Sequence, residues 1–459
     1  MESKSLGKLS KRNLWGYALG AIPAGLLSYV FTLKYIELFY DDLRLLPLYF
    51  IIGQVIYMTI NALNDPFSGQ LTDRTNREKW GSRRLIYIKY GGPIWALTFL
   101  LLWFPWSFDN QLIIFLHYVI SICLFDTMLT LVVLCWMALL PEMTSDIDER
   151  NKANFLALLL GAIAVVPALL ILGAMKATTQ IFQFIMIIIA VISTIFLLIV
   201  AKTCVERPEF QNDEVFPFWK SIKETTKSKS FLLFIGYNFC GVITGSIGIS
   251  YLFLYIFILG NNATVSIIYF LIFVFVGYSS YIVCITLRPK WGMRRVILRF
   301  GILRIIGTLV IFGLSLLPSL SSLIWLLWLG FIWWTFFGGY AVYTTGSLMY
   351  LSVDEDEVKS GTRREGMFLG INALFTKPAN SLGPILATVI LVYFGYIQGS
   401  DTQSASTLFG IKILFLLVPA IFTALSLLFM HFYPLHGEQL KEMRNKLEEI
   451  HKEKLEKIQ

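Results

Sequence analysis

The sequence predicts an all-α integral membrane protein with twelve transmembrane helices in two six-helix bundles. The chain has 459 residues, of which 56% are hydrophobic and 15% are charged, more apolar than a soluble protein of this length can bury. Apolar runs of roughly 20 residues, long enough to cross a bilayer, recur throughout. The segment from Trp80 to Arg84 (WGSRR) returns in the second half as Trp291 to Arg295 (WGMRR), between two apolar runs each time. A repeated loop of this kind indicates a duplicated bundle.

The apolar runs predict the twelve helices in order, and the polar stretches between them predict the domains. The predicted spans are 14–36, 45–70, 85–106, 111–140, 153–175, 181–202, 231–259, 264–287, 296–317, 322–351, 365–396 and 406–432. The longest polar connector, 203–230, falls after the sixth span and predicts a cytoplasmic linker. The domains are therefore an N-terminal bundle (1–202), that linker, a C-terminal bundle (231–432) and a charged, helix-prone cytoplasmic tail (433–459).

The distribution of lysine and arginine predicts the orientation. With the N-terminus inside, the external turns carry only Arg44 and Lys176, and the remaining loop cations are internal. We therefore expect both termini to be cytoplasmic. The net charge of +8 lies in short loops beside apolar runs, which excludes nucleic acid as a partner and indicates the lipid bilayer. The expected location is the plasma membrane, with the protein as a monomer.

Three segments resemble one transporter family. The run from Asn64 to Arg84 (NDPFSGQLTDRTNREKWGSRR) resembles the helix 2–3 segment of the glycoside-pentoside-hexuronide:cation symporters, whose best-known member is melibiose permease. The run LLPEMTSDIDERNKAN resembles its helix 4–5 loop, and DEDEVKSGTRREG, followed by Lys377, resembles its helix 10–11 loop and helix 11. The resemblance implies the major facilitator fold and cation-coupled transport of a sugar or glycoside by alternating access.

Acidic and basic residues are interleaved in the internal loops of both halves. Pro141 to Arg150 and Asp354 to Arg364 are predicted as charged loops that end apolar runs. By resemblance, these charges form a cytoplasmic gate that holds the two halves together when the carrier faces outward; the alternative is a solvated positive-inside loop. The predicted gate residues are Asp73, Arg83, Arg84, Glu142, Arg150, Arg294, Arg295, Asp354 and Arg363.

Ionisable residues inside spanning helices are costly and indicate function. Asp65 and Asn61 are four residues apart on predicted helix 2, hence on one face. A carboxylate with an amide oxygen suits Na⁺, and the carboxylate alone can carry H⁺. The family has two acids at these positions, and Asn61 replaces the first. Lys377 aligns with a family lysine near the cation site, and we predict that it pairs with Asp65. Alternatively, Asp65 caps the helix end before Pro66, and Lys377 is merely solvated in the cavity.

Other polar and aromatic residues are predicted to line a substrate cavity: Asp126, Trp136, Met137, Asn238 and Asn372. By resemblance, the three charged sugar contacts of the family fall on Ile22, Val133 and Leu158, and its stacking tryptophan falls on Met137, beside Trp136. Because these three positions are apolar, either the substrate is amphiphilic or lysolipid-like, or Asp126, Asn238 and Asn372 supply the polar contacts. His117 is interpreted as a satisfied polar residue rather than a proton relay.

Other classes fit the sequence less well. A membrane-embedded prenyltransferase needs clustered acids to hold Mg²⁺–diphosphate, and the next acid after Asp65 is Asp73. A P-loop is absent, which argues against ATP-driven pumping. The five cysteines lack metal-ligand spacing and are interpreted as packing residues. No cofactor is expected beyond the coupling ion, Na⁺ or H⁺. A channel is left open.

Overall fold

The computed structural model describes most of the chain, and the statements below concern that part. The described residues are 9–73, 75–144, 147–172, 175–206, 227–250, 263–317, 329, 332–361, 365–400 and 402–456. Their regular secondary structure is entirely helical. The predicted linker is described at 203–206 and 227–230, so its central part lies outside these residues.

Six long helices form the N-terminal bundle. They are α1 (Lys11–Asp42), α2 (Pro47–Asp73), α3 (Leu85–Trp103), α4 (Gln111–Met143), α5 (Ile147–Leu172) and α6 (Gln180–Thr203). The last stretch of α1, Glu37–Asp42, is π-helical. A single helical turn, Arg77–Trp80, lies between α2 and α3.

The C-terminal bundle repeats this order and adds a helix for the tail. Its helices are α7 (Lys229–Ser250), α8 (Ala263–Trp291), α9 (Met293–Leu314), α10 (Tyr340–Ser360), α11 (Glu365–Tyr393) and α12 (Ala405–His431), and the tail forms α13 (Gly437–Glu456). Within the described part, eight helices are long and apolar enough to cross a membrane. The predicted class, a helical membrane protein of two six-helix bundles, is confirmed.

The two acidic segments differ from their prediction as loops. The α10 helix continues past the apolar run to Ser360, so Asp354 and Glu355 are helical. One reason is local: Lys359 Nζ lies 2.6 Å from Glu355 Oε1, an ion pair one turn apart that supports a helix. In the first half α4 extends to Met143 and α5 begins at Ile147, which leaves a much shorter loop than 141–150.

The helices of the N-terminal bundle place α2 and α4 face to face. The α4 helix packs on both α2 and α3, and α3 also packs on α6. Close approach of α1 to α4 depends on Gly20, because a Cβ there would lie 2.3 Å from Trp136 Nε1. The polar side chains of α2 and α4 therefore meet inside this bundle.

The glycine of the repeated WGxRR segment has the same positive φ in both halves. Gly81 has a φ of 76° and Gly292 a φ of 75°. L-residues with a side chain rarely adopt this region, so glycine is required at both turns. The duplication inferred from the sequence is thus visible in the backbone.

The tail helix packs against the C-terminal bundle. Met443 is buried in the same apolar cluster as Tyr433 and Leu435, and Leu440 packs against that cluster. The tail was predicted as a separate charged segment, but its apolar face contributes to the core of this bundle.

Candidate functional site

A buried carboxylate lies between α2 and α4 of the N-terminal bundle. Asp126, on α4, is 6% exposed. Its Oδ1 accepts a hydrogen bond of 3.1 Å from the Tyr57 hydroxyl, and its Oδ2 accepts one of 3.0 Å from Asn64 Nδ2. Both donors are neutral groups on α2. Hydrogen bonds to an ionised carboxylate are stronger than neutral pairs, so these donors can hold a charged Asp126 inside the bundle.

The network extends one residue beyond each donor. Asn61 Nδ2 donates to the Tyr57 hydroxyl at 3.2 Å, and Thr127 Oγ1 donates to Asn64 Oδ1 at 3.2 Å. Asn61 is 3% exposed. Among the described residues nothing donates to its amide oxygen, Oδ1. We call Tyr57, Asn61, Asn64, Asp126 and Thr127 the Asp126 network.

One of the predicted coupling residues, Asn61, belongs to the Asp126 network. Asn61 turns to Tyr57 and joins the Asp126 network, whereas Asp65 is partly exposed on α2. The partner of the Asn61 amide, Tyr57, lies four residues earlier on the same helix. Lys377 is partly exposed on α11, directly before Pro378. Its pairing with Asp65 stays a prediction.

The predicted cavity residues Trp136 and Met137 have different surroundings. Trp136 stacks on Tyr17 with 5.1 Å between the ring centroids, and its indole N–H donates to the Tyr17 carbonyl at 2.9 Å. Met137 is exposed, and so is Leu158, at 74%. Ile22 and Val133 are partly exposed.

Two further polar predictions can be placed. Asn238 Nδ2, on α7, donates to Asn372 Oδ1, on α11, at 3.0 Å, so both predicted cavity residues form one pair in the C-terminal bundle. His117 Nε2 lies 2.7 Å from the Leu101 carbonyl oxygen, and its ring stacks on Trp106. This contact satisfies Nε2, whereas Nδ1 is buried and has no hydrogen-bond partner among the described residues, so the interpretation of His117 as a satisfied polar residue holds for one ring nitrogen.

An ion-pair cluster closes the turn between α2 and α3. Glu142 Oε1, near the end of α4, accepts from Arg83 Nη2 and from Arg84 Nε, each at 2.6 Å. Glu142 Oε2 is buried and has no hydrogen-bond partner among the described residues. Three predicted gate residues of the first half, Arg83, Arg84 and Glu142, therefore pair with one another. Their action between the halves stays a prediction.

Glu206 binds the backbone of the same turn. The sequence did not identify it as a functional residue. It is 3% exposed. Its carboxylate accepts three backbone N–H bonds, from Arg83 at 2.8 Å, Arg84 at 2.7 Å and Leu85 at 2.7 Å. These are the unpaired donors at the N-terminus of α3, where the helix dipole favours a negative charge. The sequence offered one signal, an isolated acid directly after the sixth apolar run.

The neighbouring Cys204 reports on this contact. Its thiol is buried, and burial raises its pKa to about 12. A protonated thiol is a poor nucleophile, so Cys204 should be inert while the segment that carries Glu206 stays in place.

The second WGxRR loop uses its arginines differently. Arg294 Nε donates to the Met430 carbonyl at 3.2 Å, Arg294 Nη2 to the His431 carbonyl, and Nη1 contacts His436 Nε2 at 2.8 Å. It therefore caps the C-terminus of α12, where the dipole favours a cation. Desolvation and repulsion by Arg294 and Arg295 lower the pKa of His436.

The remaining gate residues have separate positions. Arg295 is exposed and Asp354 is partly exposed. Arg150 Nε donates to the Thr144 carbonyl at 2.8 Å. The backbone of Asp73 ends α2. Arg363 lies outside the described residues.

A buried ion pair joins Lys34 and Glu37 in the C-terminal part of α1. Lys34 Nζ lies 2.6 Å from Glu37 Oε2 and donates to the Met175 carbonyl at 2.9 Å. Lys34 is 1% exposed, so the pair is buried rather than interfacial.

Comparisons with known proteins agree with this architecture. The sequence model described as MFS/sugar transport protein matches residues 16–437. The chain is 23% identical to transmembrane protein 180 of Gallus gallus, over 93% of each chain. It is 23% identical to the isoprimeverose transporter of Lactiplantibacillus pentosus, over 89% of this chain and 85% of that one.

A solved structure shows the same fold. The crystal structure of a D-xylose–proton symporter superimposes with a TM-score of 0.62 at 12% identity, covering 92% of this chain and 96% of that chain. The family consists of transporters, which sets aside the membrane-embedded enzyme. The chain therefore belongs to the MFS/sugar transport protein family, as a multi-pass membrane protein with the major facilitator fold.

Proposed function

We propose that this protein is a symporter that couples the movement of a cation, H⁺ or Na⁺, to that of a small organic solute by alternating access. One observation carries the proposal: Asp126 is held inside a transmembrane bundle by neutral donors. Burying a carboxylate in a spanning helix costs several kcal/mol on insertion scales, about 2.5–3.5 at the helix centre. A carboxylate that is buried in a spanning helix at that cost indicates an ion pathway. Asp65 and Asp126 are the two candidate coupling acids.

A sugar or glycoside is the first substrate class. The family is that of sugar transporters, and one relative is an isoprimeverose transporter. Sugar hydroxyls need paired donors and acceptors. The amide pair of Asn238 and Asn372 offers such groups in the C-terminal bundle.

An amphiphilic or lysolipid-like substrate is the second candidate. Ile22, Val133 and Leu158 carry no polar group, and none of the three is buried. Each sugar hydroxyl left without a partner costs about 1–3 kcal/mol. Two or three such losses weaken disaccharide binding by orders of magnitude, because about 1.4 kcal/mol is tenfold in affinity.

Uptake into proteoliposomes tests the proposal. The purified protein is supplied with radiolabelled isoprimeverose, melibiose or lysophosphatidylcholine, under an imposed pH gradient or an imposed Na⁺ gradient. We expect one substrate to accumulate, with saturation, under one of the gradients. Asp126→Asn should abolish accumulation. The matched control is Asp109→Asn, the same change at an exposed acid between α3 and α4.

The outcomes separate the classes. Accumulation of a glycoside alone supports sugar symport, and accumulation of lysophosphatidylcholine alone supports the amphiphile. Flux that does not saturate and does not follow either gradient would identify a channel and refute the proposal. Unchanged accumulation in Asp126→Asn would remove the observation on which it rests.

A further inference from the structure

We propose that Asp126 is the proton-binding carboxylate of this transporter, and that Tyr57 and Asn61 reverse their hydrogen bonds when it is protonated. The inference rests on the proposed function and names its coupling ion. It also assigns the ion to Asp126, on α4, and not to Asp65, on α2. The steps are argued in turn from the Asp126 network.

The direction of the present hydrogen bonds corresponds to an ionised Asp126. Asn61 Nδ2 donates to the Tyr57 oxygen, and the Tyr57 hydroxyl donates to Asp126 Oδ1. The Tyr57 hydroxyl has one proton and can accept as well as donate. Each group in the series passes its hydrogen toward the carboxylate.

Addition of one proton reverses the series. A proton bound to Asp126 Oδ1 makes that oxygen a donor, and the Tyr57 oxygen can accept from it. The Tyr57 hydroxyl then donates onward to Asn61, which must turn its amide over to present Oδ1. One proton enters, no proton leaves, and the charge of the site changes from −1 to 0.

The amide oxygen of Asn61 is an independent observation in favour of this reversal. It is buried and has no donor among the described residues. Leaving such a group unsatisfied is unfavourable. In the reversed series the Tyr57 hydroxyl donates to this oxygen. The present series therefore pairs Asn61 Nδ2 with Tyr57, and the reversed series pairs Asn61 Oδ1 with Tyr57.

The donors also favour a proton over Na⁺. Metal cations bind through oxygen lone pairs. Tyr57 and Asn64 instead present hydrogens to Asp126, one to each oxygen. A proton needs only a reorientation of these hydrogens, whereas a metal ion needs several further oxygen ligands beside the carboxylate.

Three titratable side chains of the described residues interact with Asp126, and all three are of types that are neutral at pH 7. Tyr57 comes from α2, Tyr35 from α1 and Cys123 from α4 itself, and each interacts electrostatically with Asp126. The α3 helix contributes the buried rings of Trp95 and Phe99 to this part of the bundle. Tyrosine and cysteine ionise above about pH 8 in water, so none of these side chains releases a proton near neutral pH.

Infrared difference spectroscopy tests the assignment on the full chain in lipid nanodiscs. Spectra are recorded at acidic and alkaline pH in buffer without Na⁺. We expect a C=O stretching band of a buried, protonated carboxylic acid to appear on acidification. The band should be lost in Asp126→Asn and retained in Asp65→Asn, the matched substitution on α2.

A second variant keeps the test decisive if Asp126→Asn does not fold. Tyr57→Phe keeps the ring and removes the hydroxyl that bonds Asp126 in both states. Because the bond to the ionised carboxylate is the stronger of the two, the band should appear already at higher pH than in the wild type. A band at the wild-type pH in Tyr57→Phe would contradict the reversed series.

Other outcomes overturn the inference. A band that persists in Asp126→Asn, or that is lost in Asp65→Asn, assigns the proton elsewhere. A band change induced by Na⁺ at fixed pH, and absent in Asp126→Asn, would identify a sodium site. Failure of the proposed function is distinguishable, because a band with the expected mutant pattern but no gradient-driven uptake would keep the proton site and reject symport.

Discussion

Removal of the Glu206 carboxylate should release the segment that follows α6 from the N-terminus of α3. Glu206→Ala deletes three hydrogen bonds of 2.7–2.8 Å to backbone amides. Each bond to a charged group contributes about 1.5–3 kcal/mol. The three bonds share one carboxylate, so their energies are not additive and we take the lower end of the range. We expect the free energy that holds the segment in place to fall by about 4 kcal/mol.

Alkylation of Cys204 by N-ethylmaleimide measures this loss locally. Cys204 is buried and its thiol is protonated, so it reacts only when the segment opens. A loss of about 4 kcal/mol corresponds to a rate increase approaching a thousandfold, since about 1.4 kcal/mol is tenfold. Peptide mass spectrometry can follow the other four cysteines, which are also buried, in the same sample as internal references.

Glu206→Gln is the matched control. It keeps one carbonyl acceptor and removes the charge, so we expect about half the loss and a rate increase of roughly 30-fold. Equal labelling of Cys204 in wild type and Glu206→Ala would refute the reasoning. A parallel rise at all five cysteines would show global unfolding, not release of this segment.

Three further predictions concern stability, measured by thermal unfolding of the purified protein. Lys34→Met should cost about 3–5 kcal/mol because it leaves Glu37 buried without its partner, and adding Glu37→Gln should restore most of the loss. Gly292→Ala should cost about 1–3 kcal/mol at its φ of 75° and ψ of 151°, while Gly313→Ala, within α9 and facing open space, should be nearly neutral. The fold lowers the pKa of His436. Its contribution to the free energy of unfolding is therefore present above the ordinary histidine pKa of about 6.5 and is lost as the pH falls through the lowered pKa. His436→Gln should not show this loss of stability in acid.

Hydropathy predicted the helices well and their ends less well. The predicted span 85–106 corresponds to Leu85–Trp103, and 45–70 to Pro47–Asp73. The α10 helix runs nine residues past its predicted end at 351, to Ser360. Hydropathy locates the apolar part of a helix, whereas charged residues beyond it can continue the helix through pairs such as Glu355 with Lys359.

Side-chain partners inside the membrane were harder to predict. Asp126 was predicted to line the substrate cavity, but Tyr57 and Asn64 were not identified as its donors. Helical spacing gives the residues that share a face of one helix, not the register of that face against another helix. Asn61 is a different case, because Tyr57 and Asp65 lie four residues to either side of it on the same helix, and spacing alone does not choose between them.

The two WGxRR segments share the positive φ of their glycines but differ in their side-chain partners. Gly81 and Gly292 share one φ, whereas Arg83 pairs with Glu142 and Arg294 caps α12. A duplicated segment can diverge in this way because the bend needs a glycine in both copies. The role of each arginine depends only on the groups that surround it in its own half. A saturation mutagenesis map of the chain should therefore show both glycines as equally intolerant columns, with unlike tolerance profiles at the two arginines.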